Sequence, residues 1–304
     1  QALNHSGKAI LSIDIPTGLN ADSGAFMGNA VKADCTITYI GMKQGLFTGA
    51  ARDYCGELVF DSLQVPARVY ASQILKARRI DWQKNSQLLQ QRPASAHKGM
   101  FGHLLLIGGE SGFAGAIRMA AEAALRCGTG LVSVATRAEN VPVIMAGRPE
   151  LMVHAVEHAD DLQTLLSKAT AIVFGPGAGQ SKWSLLLFET ALKANKPMII
   201  DADGLNLIAN NPELAGQLND NAILTPHPGE AARLLDCAVA VIEQDRFTAI
   251  EQLRRCYQCH IVLKGAGTLI LDSEARQPVA ICSEGNAGMA SGGMGDVLSG
   301  IVGA

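Results

Sequence analysis

The residues with the clearest chemistry form a glycine-dense segment, residues 285–296, which reads G-N-A-G-M-A-S-G-G-M-G-D and ends in an acid. The apolar segment that follows, residues 297–304, predicts a helix beginning at Asp296. Closely spaced glycines let backbone N–H groups approach an anion, and the positive end of a helix adds to the attraction. A carboxylate beside bound phosphate could take a proton from a hydroxyl group. The alternative interpretation makes Asp296 an ordinary N-cap of a buried helix.

Short apolar runs that alternate with helical patterns predict the elements that position this segment. Buried parallel strands are predicted at residues 104–107, 131–135, 172–174, 198–200 and 222–224, and helices at 114–127 and 181–195. Later apolar runs at 261–264, 268–271 and 279–282 have no helix between them, which predicts antiparallel pairing at one edge of the sheet. The sequence therefore predicts a three-layer α/β domain with a binding crevice at the carboxyl ends of its strands.

The first part of the chain predicts only part of a domain. Strands are predicted at residues 9–15 and 36–40, but the pieces up to about residue 70 cannot close a core of their own. Residues 70–98 are rich in Gln, Arg and Lys and predict a linker, so we place the domain boundary near residue 75. The helix predicted at Asp296 stops after barely two turns, and we expect the chain to be truncated at both ends.

Composition favours a protein that acts on small molecules. The 304 residues are 48% hydrophobic and carry a formal net charge of −3, which suits about two domains and argues against nucleic acid or an anionic membrane as a partner. No apolar stretch approaches the roughly 18 residues that span a bilayer, and the first residues lack the pattern of a secretory signal. Seven scattered cysteines suit a reducing compartment, so we expect a cytoplasmic protein.

One group of cysteines has a spacing that metal and haem sites share. The run Cys256-Tyr257-Gln258-Cys259-His260 matches a c-type haem attachment site and could also begin a zinc site. Haem attachment requires export, and a zinc site would need further ligands nearby in the sequence. Residues 247–258 have the apolar spacing of a helix, so we interpret these cysteines as packing residues.

Two glycine-rich loops follow predicted strands of the larger domain. Residues 108–115 read G-G-E-S-G-F-A-G and open a helix, and residues 175–179 read G-P-G-A-G. Each could hold a phosphate group or simply turn tightly. Neither has the G-K-[ST] ending of a P-loop or a clean dinucleotide-binding spacing, which disfavours a standard NTPase or dehydrogenase.

Two further loops carry charged groups. Residues 225–230, T-P-H-P-G-E, hold His227 and Glu230 in a backbone that prolines fix, at the predicted crevice, although a histidine in a turn is more often structural. Residues 264–268, K-G-A-G-T, place a cation, two glycines and a hydroxyl after a strand, which suits the phosphates of a nucleotide. The alternative for this loop is a hairpin turn with a solvated lysine.

In this order, the five loops resemble the ribokinase-like superfamily and, within it, the ADP- or ATP-dependent NAD(P)H-hydrate dehydratases. The resemblance extends from about residue 97 to the end of the sequence. It rests on His97-Lys98-Gly99, Gly175-Pro176-Gly177, Asp201-Ala202-Asp203 and residues 225–230, 264–268 and 286–296. It implies a three-layer ribokinase-like α/β domain at residues 76–304.

The first part resembles the end of a Rossmann-like NAD(P)H-hydrate epimerase domain, at residues 1–75. The similar residues are 12–20 (S-I-D-I-P-T-G-L-N), Ala33-Asp34 and 41–45 (G-M-K-Q-G). The resemblance implies that Asp14 contacts the hydrated cofactor and that Thr17 helps to hold a potassium ion. The family's glycine- and asparagine-rich substrate loop lies upstream of these residues, so we expect this epimerase half to be incomplete. The alternative for residues 14–18 is a strand followed by a rigid turn.

Together the two resemblances imply a bifunctional enzyme that repairs hydrated nicotinamide cofactors, NADHX and NADPHX. One half would interconvert the R and S hydrates. The other would dehydrate the S form with ADP as phosphoryl donor, Asp296 taking the proton from the ring hydroxyl, and would release NAD(P)H, AMP and phosphate. Mg²⁺ would accompany the nucleotide and K⁺ the epimerase half. We expect a homo-oligomer without nucleic acid or membrane partners.

The resemblance also implies which residues bind each ligand. ADP would be bound by Lys264, Gly265, Ala266, Gly267, Thr268, Asn286, Ala287, Gly288, Met289, Ala290, Ser291, Gly292, Gly293, Met294 and Gly295. The hydrated cofactor would be bound by Ala116, Gly179, His227, Pro228, Gly229, Glu230, Ala231, Ala232, Arg233 and the catalytic Asp296, and by Asp14 in the epimerase half.

Two rival hypotheses stay open. A small-molecule kinase of the same superfamily, acting for example on a vitamin precursor, would use the same glycine loop and aspartate, and fold alone cannot separate it from a dehydratase. A non-catalytic nucleotide-binding protein would bind ADP without turnover. The loop at residues 225–230 and the epimerase-like part favour the dehydratase.

Overall fold

The computed structural model of the chain describes residues 1–89 and 91–304. Its strands are β1 (Leu11–Ile13), β2 (Cys35–Tyr39), β3 (Glu57–Asp61), β4 (Ala77–Arg79), β5 (His103–Ile107), β6 (Leu131–Thr136), β7 (Met152–Ala155), β8 (Ala171–Phe174), β9 (Met198–Ile200), β10 (Ala222–Leu224), β11 (His260–Leu263), β12 (Thr268–Leu271) and β13 (Val279–Cys282). Its α-helices are α1 (Ala67–Ala71), α2 (Trp82–Asn85), α3 (Ala114–Cys127), α4 (Val141–Gly147), α5 (Ala159–Lys168), α6 (Lys182–Lys193), α7 (Asp203–Asn210), α8 (Pro228–Leu234), α9 (Val239–Gln244), α10 (Arg246–Tyr257) and α11 (Met294–Gly303). Among these described residues, no helix has both the length and the apolar character needed to cross a bilayer.

The chain forms two compact units, each assembled from separated stretches of sequence. The first unit contains Gln1–Asn85, His227–Leu253 and Val262–Gly285. The second contains Ser86–Pro226, Arg254–Ile261 and Asn286–Ala304. The units are defined by packing, whereas the boundary near residue 75 was inferred from the composition of residues 70–98 and stays a prediction.

A parallel sheet forms the centre of the second unit. Its strands lie in the order β11-β10-β9-β8-β5-β6-β7, with only the first two residues of β11 belonging to this unit. All neighbouring pairs are parallel. Because parallel strands need a crossover connection, a helix separates each strand from the next in sequence from β5 to β11. The predicted α/β fold class is confirmed.

The core of the second unit lies between this sheet and helix α3. The helix is rich in alanine, and its Ile117, Ala120 and Ala124 side chains are fully buried against apolar strand residues such as Leu106 and Val134. Small side chains on α3 also let helix α11 come close, since a Cβ atom at Gly300 would overlap the carbonyl oxygen of Ala120. The close packing of these two helices therefore fixes the position of α11.

Two groups of paired strands belong to the first unit. Strands β1, β2 and β3 are parallel, with β2 in the middle, and Ile37 on β2 lies opposite both Ile13 and Val59. Strands β12 and β13 are antiparallel, as the sequence predicts, and β4 pairs with β13 in parallel. The strand β4 lies inside the predicted linker, so that prediction was wrong for Ala77–Arg79. Its sequence, A-R-R, has no apolar run, and the strand forms because the backbone of β13 is available to pair.

Three other local predictions differ from the structure. Helix α11 begins at Met294, two residues before the predicted start, because Gly293 adopts a left-handed conformation with φ of 86°. Asp296 therefore lies in the first turn of the helix and is not its N-cap. The strand predicted at residues 9–15 ends at Ile13, since Asp14 has a φ of 70°. The strand β7 was not predicted, because its sequence M-V-H-A is short and includes a histidine.

The close packing of α11 on α3 leads to a test by substitution. Alanine normally stabilises a helix interior by about 1 kcal/mol over glycine. At Gly300 we expect alanine to lower the unfolding free energy, because the added Cβ overlaps a backbone carbonyl. Overpacking of this kind costs roughly 1–3 kcal/mol. Urea unfolding of Gly300→Ala should show the loss. Gly216→Ala is the matched control: its Cβ would meet no atom within 4 Å, and the change should raise the unfolding free energy by about 0.4–1 kcal/mol. A Gly300→Ala variant as stable as the control would contradict the packing.

Candidate functional site

The loops after β5 and β8 lie against each other in the second unit, as expected for neighbouring parallel strands. The N–H of Gly109 donates to the carbonyl oxygen of Pro176 at 3.1 Å, and the N–H of Glu110 donates to that of Gly177 at 2.7 Å. A Cβ at Gly177 would lie 2.8 Å from Phe113 and 3.1 Å from the Cβ of Ala116, at the start of α3. The two predicted glycine loops thus form one surface at the carboxyl edge of the sheet.

The glycines after β8 are needed for packing as well as for turning. Gly175 has a φ of 128°, and a Cβ there would overlap the carbonyl oxygen of Asp201. Gly179 has a φ of 68°, and its N–H donates to the carboxylate of Asp203 at 2.8 Å. A carboxylate from the next strand end therefore holds Gly179, one of the residues predicted to bind the hydrated cofactor.

In the segment Asp201-Ala202-Asp203 the two carboxylates make different contacts. Ala202 has a φ of 46° and a ψ of −115°, a backbone conformation that residues other than glycine rarely adopt. Such strain is often found at functional sites. Asp201 is buried, whereas Asp203 is half-buried and binds Gly179. In the sequence this segment is distinguished only as part of a family pattern, whereas in the structure Asp201 contacts Ser299 and Asp203 contacts Gly179.

Asp296 is half-buried in the first turn of α11, where backbone N–H groups have no carbonyl partner within the helix. One turn later, the buried hydroxyl of Ser299 lies 2.6 Å from the Asp201 carboxylate and 3.0 Å from the carbonyl oxygen of Gly295. A Cβ at Gly293 would lie 2.6 Å from the Met119 side chain, so only glycine fits there without rearrangement. These contacts fix the helix start that carries Asp296 relative to the end of β9.

An ion pair that sequence reasoning missed lies beside the glycine loops. The Glu110 carboxylate accepts a hydrogen bond from Arg137 at 2.6 Å and another from the hydroxyl of Ser181. Arg137 also pairs with Glu157 at 2.7 Å and lies 4.5 Å from the ring centre of Trp183. The charged residue inside a glycine-rich loop was the available signal, but its partners are distant in sequence.

These partners shift the pKa of both charged groups. Burial raises the pKa of the Glu110 carboxyl, but hydrogen bonds from Arg137, Ser181 and the Ser111 backbone outweigh it and hold the pKa below its ordinary value. The hydrogen bond to Glu110 raises the pKa of Arg137 against the effect of burial. Both groups are therefore charged at neutral pH, and the pair joins the loop after β5 to the end of β6.

In the first unit, His227 begins helix α8 and acts as its cap. Its Nδ1 accepts hydrogen bonds from the N–H groups of Gly229 at 2.9 Å and Glu230 at 3.3 Å. In return, the Glu230 carboxylate accepts a hydrogen bond from the backbone N–H of His227 at 2.7 Å. Because Nδ1 accepts, the other ring nitrogen, Nε2, carries the proton of a neutral imidazole and lies 3.5 Å from the second oxygen of Glu230.

Glu230 also faces the lysine of the K-G-A-G-T loop. Its side chain is 6% exposed, and one oxygen lies 3.6 Å from the Nζ of Lys264, whose side chain is 15% exposed. Thr268 closes the loop with a hydrogen bond from its hydroxyl to the carbonyl oxygen of Gly265 at 3.1 Å. The structure thus brings together the predicted cofactor-binding segment and the predicted nucleotide loop around one buried carboxylate.

Asp14 of the epimerase-like part lies in a set of donors. It accepts hydrogen bonds from the Tyr39 N–H at 3.1 Å and the Thr38 hydroxyl at 3.3 Å, and it forms an ion pair with Lys43. Burial raises the pKa of Asp14, but Lys43 and these hydrogen bonds hold it below its ordinary value. Thr17 is exposed, and its carbonyl oxygen accepts the Val31 N–H.

The predicted site residues are thus divided between the units. Ala116, Gly179, the segment from Asn286 to Gly295 and Asp296 belong to the second unit, and the other predicted residues belong to the first. Within the glycine-dense segment, residues 286–292 are exposed, and Asn286 caps a short 3-10 helix through the N–H of Gly288. The ligands assigned to all these residues stay predictions.

Comparison with known proteins gives two family matches. The model described as NAD(P)H-hydrate dehydratase matches residues 104–304. The model described as YjeF-related protein N-terminus matches residues 1–45. Two similar relatives are each named bifunctional NAD(P)H-hydrate repair enzyme Nnr. That of Coxiella burnetii is 49% identical over 99% of this chain and 61% of its own length, and that of Escherichia coli K12 is 48% identical over 100% of this chain and 58% of its own length. The chain therefore spans about three fifths of these curated relatives.

Solved structures agree with the fold. A ribokinase-like superfamily protein from Enterococcus faecalis is 28% identical, with a TM-score of 0.67 over 76% of this chain and 80% of its own. An ADP/ATP-dependent NAD(P)H-hydrate dehydratase from Bacillus subtilis, co-crystallised with ATP and Mg²⁺, is 28% identical, with a TM-score of 0.58 over 70% of this chain and 74% of its own. The prediction of a ribokinase-like domain is confirmed.

The Glu110 ion pair predicts a pH-dependent stability. A carboxylate whose folded pKa is lowered contributes stability above its ordinary pKa, 4.5, and loses that contribution as the pH falls through the folded value. We expect Glu110→Gln to lower the unfolding free energy by about 1–3 kcal/mol at pH 7 and by clearly less at about pH 3. Urea unfolding at the two pH values measures the difference. Glu213→Gln, at an exposed position, is the control. An equal loss at both pH values would show that charge is not the cause.

Proposed function

Because the chain belongs to the NAD(P)H-hydrate dehydratase family, we propose that it dehydrates (S)-NAD(P)H-hydrate with ADP as the phosphoryl donor. The observation that carries the proposal is the position of Asp296. A carboxylate in the first turn of α11, fixed through Ser299 and Asp201, lies next to backbone N–H groups that attract phosphate. A proton acceptor beside an anion site is what transfer of a phosphoryl group to a hydroxyl requires.

The proposed reaction begins at the hydroxyl group of the hydrated ring. Asp296 accepts the hydroxyl proton while the oxygen attacks the β-phosphorus of ADP, so that an O–P bond forms and AMP leaves. Phosphate is a much better leaving group than hydroxide. The lone pair of the ring nitrogen then expels it, and loss of a proton from the adjacent ring carbon restores the dihydropyridine. The chain's own contribution is proton transfer by Asp296 and the binding and orientation of both substrates.

We assign the nucleotide to two segments. Lys264 supplies a positive charge, and Gly265 to Thr268 supply backbone N–H groups after strand β11. Further N–H groups come from the helix start at Gly293 to Gly295, whereas residues 288–291 donate their N–H groups within the exposed segment and would contact the nucleotide by other atoms. Backbone donors of this kind offset the charge that develops on a transferring phosphoryl group.

Magnesium fits this assignment as an ion brought by the nucleotide. Among the described residues, no group of three or more His, Cys, Asp or Glu side chains could hold a metal ion. Mg²⁺ commonly binds through substrate phosphates with only one or two carboxylates, so it can be bound together with the nucleotide without such a group. When bound, it would neutralise charge on the phosphates. Potassium, assigned to Thr17, has only the resemblance in its support.

The hydrated cofactor is assigned to Gly179 and Ala116 in the second unit and to the start of α8 in the first. In α8, the Nε2–H of His227 is the donor suited to an amide or phosphate oxygen, because Nδ1 already caps the helix. The other residues of the first unit's α8 that are assigned to the hydrated cofactor, Pro228 to Arg233, form the first turns of this helix. The geometry of the capping box holds this imidazole in one tautomer.

For the first part of the chain we propose an origin in the epimerase half, at residues 1–75. The match of residues 1–45 to the second family model and the names of the relatives support it. The Asp14 carboxylate, charged and held by Lys43, could then contact the hydrated ring. We further propose that the protein acts on free small molecules in the cytoplasm, a reducing compartment in which its seven free cysteines would persist, and that it forms a homo-oligomer.

Replacement of Asp296 by asparagine tests its role. We expect both ligands to bind but turnover to fall at least about a hundredfold, the usual scale for loss of a general base. The return of absorbance of the reduced cofactor measures turnover, and calorimetry measures ADP binding. Asp160→Asn is the matched control, because it is the same change at an exposed position in the first turn of α5. An Asp296→Asn variant that keeps nearly full turnover would remove this residue from the mechanism.

Product analysis separates the dehydratase from the rival kinase. The full-length protein is incubated with NADHX and either ADP or ATP, and the products are separated by chromatography. NADH with AMP and phosphate is the expected result with ADP. A stable phosphate ester of another alcohol, with no NADH formed, would establish the kinase, and ADP binding without any product would establish a binding protein.

A further inference from the structure

Arg246, at the start of α10, is a buried arginine beneath the K-G-A-G-T loop. It is 2% exposed, yet it belongs to neither of the segments assigned to a ligand. Its Nη2 donates to the carbonyl oxygens of Leu263 and Lys264, each at 3.1 Å, and its Nε donates to the hydroxyl of Thr48 at 2.9 Å. Burial lowers the pKa of the guanidinium, which Glu243 opposes, but an arginine starts from so high a value that it stays charged at neutral pH.

The close approach of Arg246 explains the first glycine of the loop. Gly265 has a φ of 139°, and a Cβ there would lie 2.8 Å from Nη1 of Arg246. Any larger residue would push the loop away from the guanidinium. This glycine therefore serves the contact beneath the loop, while its exposed backbone remains available on the other face.

The residues around Thr48 hold the second half of the loop. The Thr48 hydroxyl donates to the carbonyl oxygen of Gly267 at 3.3 Å, and the N–H of Gly49 donates to that of Ala266 at 2.9 Å. A Cβ at Gly267 would overlap the carbonyl oxygen of Phe47. Thr48 thus receives one hydrogen bond from Arg246 and passes another to the loop.

These contacts determine where the backbone donors of the loop point. In a trans peptide, the C=O of one residue and the N–H of the next point in opposite directions. The carbonyl groups of residues 264, 266 and 267 all point to Arg246, Gly49 or Thr48. The N–H groups of Gly265, Gly267 and Thr268 therefore point away from these partners. Gly267 is buried, whereas Gly265 is exposed, so the N–H of Gly265 is the one turned toward the exposed side of the loop, where it can bind an anion.

We propose that Arg246 and Thr48 are positioning residues for the nucleotide diphosphate: by holding the carbonyl groups of Lys264 and Gly267, they fix the loop and turn the N–H of the exposed Gly265 toward the phosphates. The identity of the nucleotide rests on the proposed function, and the orientation rests on the geometry. Residues 47–49, which lie within the part that we assign to the epimerase half (residues 1–75), then become a working part of the nucleotide site. It predicts that the affinity for ADP depends on residues that ADP does not touch.

Calorimetric titration of the full-length protein with ADP, in the absence of hydrate, tests this role. Arg246→Lys keeps the charge but loses the fork of donors, and we expect the Kd for ADP to rise at least about tenfold. Thr48→Val keeps the shape but removes the hydroxyl, and we expect a rise of about threefold to fivefold. Arg255→Lys, the same change at an exposed position of α10, is the matched control and should leave the Kd unchanged.

Turnover and chemical rescue distinguish positioning from general stability. In both variants the KM for ADP should rise while kcat at saturating ADP stays within about threefold of the wild type. Guanidinium chloride at millimolar, non-denaturing concentration should restore part of the ADP affinity of Arg246→Ala, whereas sodium chloride at the same concentration should not. A structural defect alone would lower kcat or the folded fraction and would not respond to guanidinium.

Folded Arg246→Lys and Thr48→Val proteins with a Kd for ADP within twofold of the wild type would overturn the proposal, even with hydrate turnover intact. If Arg246→Lys does not fold, Thr48→Val alone decides. If the Kd for ADP rises in the two variants as expected but the wild-type protein does not turn over NADHX, the positioning role is supported and the proposed function is refuted. A wild-type protein that binds no ADP would refute both.

Discussion

The contact between the Asp201 carboxylate and the Ser299 hydroxyl is the constraint on which the second unit's site depends. A buried carboxylate is costly unless it is hydrogen-bonded, so Asp201 needs a donor at this position. Ser299 meets that need from α11, and the helix is thereby held at the end of β9. Because Asp296 lies three residues earlier, less than one helical turn, the same contact sets the height and rotation of the catalytic candidate.

Glycine has two distinct uses in this chain, and the structure separates them. Gly175, Gly265 and Gly267 are glycines because a neighbouring backbone or guanidinium occupies the space of a side chain. Gly292, in contrast, would meet nothing within 4 Å, so its backbone is open to a ligand or to solvent. A glycine-rich loop is therefore not a uniform phosphate cradle. The closely packed glycines of such a loop determine where its peptide groups point, and the exposed part of the loop can then bind a ligand.

Much of the fold could be predicted from the sequence, because apolar runs such as those of β5 and β8 report burial directly. The five loops could also be found, since each follows such a run. The contacts that orient them could not. Glu110 and Arg137 are 27 residues apart, Asp201 and Ser299 are 98 apart, and Thr48 and Arg246 are 198 apart. Local patterns carry no information on such pairs, and β4 was missed for the same reason, since its partner β13 defines it.

The interleaved composition of the first unit has a consequence for biosynthesis. Its residues 1–85 leave the ribosome long before its last stretch, which ends at Gly285, roughly 200 residues later. At about 5–20 residues per second, this delay lasts on the order of 10–40 s. During that time apolar side chains that the finished unit buries, such as Leu46 and Phe47, lack part of their packing and are open to association with other chains. Nascent protein of this architecture should therefore depend on chaperones during translation.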